Sequence, residues 1–108
     1  MPDFNIDRII EICSQSIIFK NMDKEILKRF LLSSSYRVVF IKKGELIIRE
    51  EEYVDYMGLV LDGELNICKY SPNGNEILLE KVAVHEVFNL DVISTPTKRS
   101  FRTVYATK

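Results

Sequence analysis

The 108-residue sequence carries one histidine, two cysteines, four glycines and three prolines, and each scarcity removes a class of protein. His85 cannot assemble a His-rich metal centre alone, and beside Glu86 it reads as a loop residue rather than a catalytic base. Cys13 and Cys68 stand apart with no Cys-x-x-Cys pair, so a four-thiolate iron–sulfur site cannot be built. No apolar run approaches the length of a membrane span and no signal-peptide pattern opens the chain. Reduced, buried thiols in a cytoplasmic protein are therefore expected, with no membrane partner. A surplus of either charge sign is missing too, since 15 basic residues face 16 acidic ones. Nucleic-acid binding normally shows as a strong basic excess, so the chain is not expected to bind DNA by itself. With no nucleophile–base pair or metal-ligand spacing, it is not expected to be an enzyme. Internal repeats, low-complexity stretches and linkers are lacking as well, which suits one domain over residues 1–108.

What is present is a set of reversals. Lys43-Gly44-Glu45, Asp62-Gly63-Glu64 and Asn73-Gly74-Asn75 punctuate short runs rich in Ile, Val, Leu and Tyr. Glycine at such points supplies the positive φ of a tight turn, and repeated reversals at short spacing build an all-β meander that closes as a barrel or sandwich. Strands are predicted over Tyr36–Ile41, Leu46–Arg49, Tyr56–Leu61 (central), Leu65–Tyr70 (alternating), Ile77–Leu79 and Phe101–Ala106. Tyr53, Tyr56, Tyr70 and Phe88 are expected in the sandwich core, and Glu50-Glu51-Glu52 as a solvated loop.

The first third has a helical period instead. Asn5 caps a helix whose stripe is Ile6, Ile9, Ile10, Cys13 and Ile17. Asp23 caps a second, with Ile26, Leu27, Phe30 and Leu31 behind it, ended by Ser33-Ser34-Ser35.

Beyond Val82 the pattern breaks. Glu86–Ile93 reads as a strand end running into one helical turn, followed by a loop and the basic run Lys98-Arg99-Ser100-Phe101-Arg102. Backbone N–H groups at a turn together with an arginine fork suit a phosphate or carboxylate. The competing reading is a surface loop with ordinary solvated charges.

Five stretches, Phe19–Leu27, Ile41–Glu45, Gly58–Leu65, Ser71–Glu76 and Glu86–Phe88, resemble in order and spacing the sensor domain of Crp/Fnr-type transcription regulators, the cyclic-nucleotide-binding domain of the cAMP-receptor protein. The resemblance runs from about Phe19 to the end. It implies a mainly β fold, a jelly-roll β-sandwich preceded by two short N-terminal helices. The helices would span about 5–32 and the β-roll about 35–108. In such regulators further strands, a dimerisation helix and a helix-turn-helix follow. The resemblance thus implies a sensor domain incomplete at its C-terminus, reaching DNA only through a C-terminal domain absent from this chain.

The family's phosphate-binding cassette has a Gly-Glu pair opening a short helix and, about ten residues later, an arginine with a small hydroxyl residue. Here the Gly-Glu positions fall on Asn89 and Leu90, and leucine cannot accept a hydrogen bond. Asp91 supplies a carboxylate if the register slips by one. Arg99-Ser100 resembles the later pair, although aligning on Ala106 shifts it by a residue, and Arg102 is the other arginine of the run. The resemblance thus implies a ligand site drawn from Asn89, Leu90, Asp91, Arg99, Ser100 and Arg102, with no metal and no resident cofactor. The expected partner is a small acidic effector other than cAMP, or none, with a cyclic nucleotide as the alternative. Two other functions stay open: a stand-alone interaction module of the same fold, as on a kinase or channel, and, more remotely, a cupin-like enzyme. A roll ending at Lys108 is finally expected to leave the Phe101–Ala106 strand as an open edge, making the chain self-associate.

Overall fold

Asn5 and Asp23 open the two N-terminal helices because their short side chains reach amides one turn on. In the computed structural model, which describes residues 4–108, helix α1 spans Ile6–Cys13 and helix α2 spans Lys24–Ser33. The Asn5 side-chain oxygen accepts from the Arg8 N–H at 2.9 Å, and the Asp23 carboxylate from the Glu25 N–H at 2.8 Å. At the far end of α2 the Ser33 and Ser34 hydroxyls donate to the Phe30 and Leu31 carbonyls at 3.0 Å. The apolar stripes are narrower than their spacing suggested. Ile9, Ile10, Cys13, Leu27 and Leu31 are buried, whereas Ile26 and Phe30 are about half exposed. Ile17 lies past the end of α1, where the chain has already turned, and is 78% exposed.

The chain divides into two compact units, one ending at Phe40 and the other spanning Ile41–Lys108. The strand expected over Tyr36–Ile41 does not form. Its β-branched and aromatic residues find no ladder partner among the described residues, and Tyr36, Val39 and Phe40 remain about half exposed. Phe40 instead packs against the Phe4 ring, 6.2 Å between centroids. A strand's propensity is realised only on a paired, half-buried surface.

The second unit is antiparallel throughout. It comprises β1 (Leu46–Ile48), β2 (Gly58–Leu59), β3 (Leu65–Tyr70), β4 (Glu76–Val82), β5 (Val87–Phe88), helix α3 (Leu90–Ile93) and β6 (Thr103–Ala106). One sheet has the order β1-β6-β3-β4 and the other pairs β2 with β5. The turns are as expected: Gly44, Gly63 and Gly74 all have φ between 84° and 87°. Around Gly74 the Ser71 N–H donates to the Asn75 carbonyl at 2.9 Å, closing the β3–β4 hairpin with Tyr70 opposite Glu76. Ile48, Val54, Val60, Leu65, Ile67, Val82, Val92, Val104 and Ala106 form the core, with Ile41, Ile47, Val84 and Phe88 packed partly against it. At roughly 1.5–3 kcal/mol for each large side chain removed from water, this cluster is the main stabilising term of the unit. The result is a mainly β, antiparallel jelly-roll fold with short helices.

Other expectations for this unit are corrected. Tyr56–Leu61 is not a central strand: two residues of it pair with β5 in the smaller sheet. In β3 Leu65, Asn66, Ile67 and Cys68 are all buried, so the expected alternation is lost. Asn66 stands opposite Tyr105 on β6 and donates to its hydroxyl at 3.1 Å, while its Oδ1 is buried without a partner. Tyr53, Tyr56 and Tyr70 are 44–55% exposed and not core, and only Phe88 packs against the cluster. Last, β6 begins at Thr103 and lies between β1 and β3, hydrogen-bonded on both sides, so it offers no open edge for self-association. A strand late in the chain can still be central, because jelly-roll order does not follow sequence order. No helix among the described residues is long and apolar enough to cross a membrane.

Candidate functional site

Asn89 ends β5 in an unusual conformation. Its φ is 70° and ψ is 7°, the left-handed region that a side chain enters at a cost. The residue is 5% exposed, and its side-chain Nδ2 has no hydrogen-bond partner. The short helix α3 follows directly, so the β-to-helix corner expected here is present at the expected place. Leu90 opens it with its side chain 46% exposed, offering no acceptor where the family pattern has a glutamate. Val92 on the same turn is anchored in the core. Thr95 shapes the exit: its hydroxyl donates to the Val92 carbonyl at 2.7 Å and accepts from the Lys98 N–H at 3.1 Å.

The basic run then divides its cations between two tasks. Arg99 forms an isolated bridge with Tyr53, and its guanidinium donates to the Glu51 carbonyl at 3.0 Å. Around it the Glu51 N–H donates to the Ser100 carbonyl at 2.6 Å and the Ser100 N–H to the Glu52 carbonyl at 2.9 Å. The acidic loop expected to be merely solvated is thus stitched through its backbone to the basic run. Periodicity carried no sign of this pairing, which joins segments about fifty residues apart.

Ser100 is 2% exposed and serves its own neighbour. Its hydroxyl donates to the Arg102 carbonyl at 2.7 Å and accepts from the Arg102 N–H at 3.1 Å, locking that backbone. Arg102 in turn pairs with Asp91 across the turn, Nη2 donating to Oδ2. The other carboxylate oxygen of Asp91 accepts from the Val92 N–H at 2.9 Å. The Arg102 guanidinium lies 5.6 Å from the Phe101 ring centroid, and its side chain is 25% exposed. Of the six expected residues the structure therefore brings Asp91, Ser100 and Arg102 together, places Asn89 and Leu90 immediately before them, and directs Arg99 elsewhere.

Reactive chemistry has little foothold. Burial pushes the thiols of Cys13 and Cys68 above their ordinary value, and for Cys68 the charge of Glu76 adds to the effect. Neither is primed as a nucleophile. Among the described residues no three His, Cys, Asp or Glu side chains gather closely enough to hold a metal ion.

The jelly roll with its β-to-helix corner and basic run is that of a known family. Residues 38–108 match the cyclic nucleotide-binding domain, and the chain belongs to that family. Its fold is similar to the sensor domain of the transcriptional regulator DNR from Pseudomonas aeruginosa (20% identity, TM-score 0.77, 94% of this chain and 66% of that one). It is also similar to the regulatory domain of Toxoplasma gondii PKA with cAMP (22%, 0.71, 95% and 38%). A third neighbour is the regulatory subunit of a cAMP-independent protein kinase A from Trypanosoma brucei (16%, 0.73, 95% and 37%). The chain spans from under two-fifths to about two-thirds of these neighbours' own lengths. No curated protein matches its sequence.

Proposed function

We propose that this chain is the effector-sensing domain of a Crp/Fnr-type transcription regulator, acting in the cytoplasm and responding to a small acidic effector other than cAMP, or to none. The observation that carries the reading is the Asn89–Arg102 segment. Leu90 stands where a ribose hydroxyl needs an acceptor, and the Arg102 guanidinium is already engaged by Asp91. A site built for a hydroxyl and a phosphate binds poorly once those partners are missing. The buried, unpartnered Asn89 amide and the backbone-locked Arg102 support an acceptor-bearing ligand instead.

Function here is binding and relay, not catalysis, with DNA contacted by a separate domain. The second reading, an interaction module attached to a kinase, draws support from the kinase regulatory subunits among the fold neighbours. Mass analysis of the native polypeptide, isolated with an antibody to this domain, separates the two. A downstream helix-turn-helix is expected, and kinase sequence in its place would overturn the regulator reading. Thermal-shift screening of the domain against small carboxylic and phosphorylated acids then seeks the effector, since a ligand at one hundred times its Kd adds about 2.7 kcal/mol.

A further inference from the structure

We infer that Asp91 is a tethered anion that occupies the Arg102 guanidinium and closes the corner to free oxyanions. This rests on reading residues 89–102 as the effector site, but not on which regulator carries it. Three observations lead here. Arg102 is presented deliberately, because the buried Ser100 hydroxyl holds both its N–H and its carbonyl, while the Phe101 ring lies beside its guanidinium. Asp91 is aimed by the fold, because one carboxylate oxygen is fixed by the Val92 N–H and the other meets Arg102. Val92, which supplies that N–H, is itself 1% exposed and anchored in the core, so the carboxylate hangs from a rigid point.

A carboxylate so placed has an advantage over any anion in solution. It is covalently attached a few ångströms from its cation, so it competes at a high effective concentration and loses little freedom on pairing. An incoming phosphate or carboxylate group must displace it, and then sits beside a second negative charge, which is repulsive. Apparent affinity falls by the fraction of time the cation is free. Asp91 is therefore a specificity determinant: it rejects simple anions and admits only a ligand that offers Asp91 a donor of its own. The fitting chemical class is a zwitterion or an acid bearing a hydroxyl or amine, whose anionic end takes Arg102 while its donor takes Asp91.

The test is removal of the tether's charge with its shape kept. Asp91→Asn preserves an oxygen for the Val92 N–H and removes the charge facing Arg102. Two-dimensional amide and arginine-side-chain NMR during titration with inorganic phosphate reports both folding and binding. The expected result is saturable shifts at Arg102 and Ser100 in Asp91→Asn, with affinity on the order of tenfold above the unmodified protein. These shifts should vanish in the Asp91→Asn, Arg102→Gln double variant. Asp91→Ser, titrated in parallel, decides the matter should the amide disturb the turn. Equal phosphate affinity with and without Asp91, no binding in either single variant, or shifts centred away from Arg102 would each overturn the inference. None of these outcomes bears on whether a DNA-binding segment follows the domain, so the two proposals fail separately.

Discussion

Gly63 shows how much a single residue can carry. Its φ of 87° alone makes any side chain strained, and a Cβ built there would lie 2.8 Å from the Lys108 carbonyl oxygen. Gly74 has a similar φ of 84°, but nothing stands within 4 Å of its missing Cβ. The pair separates backbone strain from crowding. Gly74→Ala should cost about 1–2 kcal/mol, the price of a left-handed alanine. Gly63→Ala should cost about 1–3 kcal/mol more, because the turn or the chain end must also shift. Urea denaturation of both variants decides it, and equal losses would show that the Lys108 approach carries no energy. The turn at Asp62-Gly63 was legible in the sequence because an Asp-Gly step announces itself locally. The close approach was not, since Lys108 is remote in sequence and reaches Gly63 only through the sheet. The site has the same character. Asp91 and Arg102 were each recognisable as candidates from their charge and place, but their mutual contact depends on the course of the turn between them.

At the scale of elements, the helices and four of the six expected strands were well marked, β3 matching Leu65–Tyr70 end to end, and two strands were not. Asn5 and Asp23 act on amides two or three residues away, so capping is written in a few consecutive letters. Tyr36–Ile41 is β-branched and aromatic and Tyr56–Leu61 is largely apolar, yet the first is unpaired and the second contributes only Gly58 and Leu59. Pairing is a long-range outcome that local composition does not encode. The joint between β3 and β6 shows one such outcome. The Thr107 hydroxyl donates to the Glu64 carboxylate at 3.0 Å, and the Thr107 N–H to the Glu64 carbonyl at 2.9 Å. Lys81 and Lys108 approach the same carboxylate at 3.6 and 4.0 Å. The Thr107 hydrogen bond first, and the two lysines after it, hold the Glu64 carboxyl below its ordinary value of 4.5. A carboxyl depressed in the folded state stabilises the protein above its unfolded pKa and loses that contribution as pH falls through the folded one. As pH falls from about 5 through the depressed Glu64 value, the unmodified protein should therefore lose more stability than Glu64→Gln. Parallel acid limbs in a pH series of thermal melts would remove Glu64 from the account.

At the scale of the whole molecule, a cyclic nucleotide-binding family fold carries the Asn89–Arg102 corner. The jelly roll is the family's fold, and in this chain Val92 anchors the β-to-helix corner in the core. Asn89 occupies a glycine's conformation with a buried, unpartnered amide, a local cost of the kind that persists at functional positions. Leu90 removes an acceptor, and Asp91 claims the cation. On the reading proposed above, the corner does not hold cAMP and responds to another small acidic effector or to none. Isothermal titration of the protein with cAMP tests it most directly. No saturable binding tighter than about 1 mM is expected, which is less than about 4 kcal/mol of binding free energy. Saturable, one-to-one binding with a Kd in the micromolar range, about 8 kcal/mol, would contradict it.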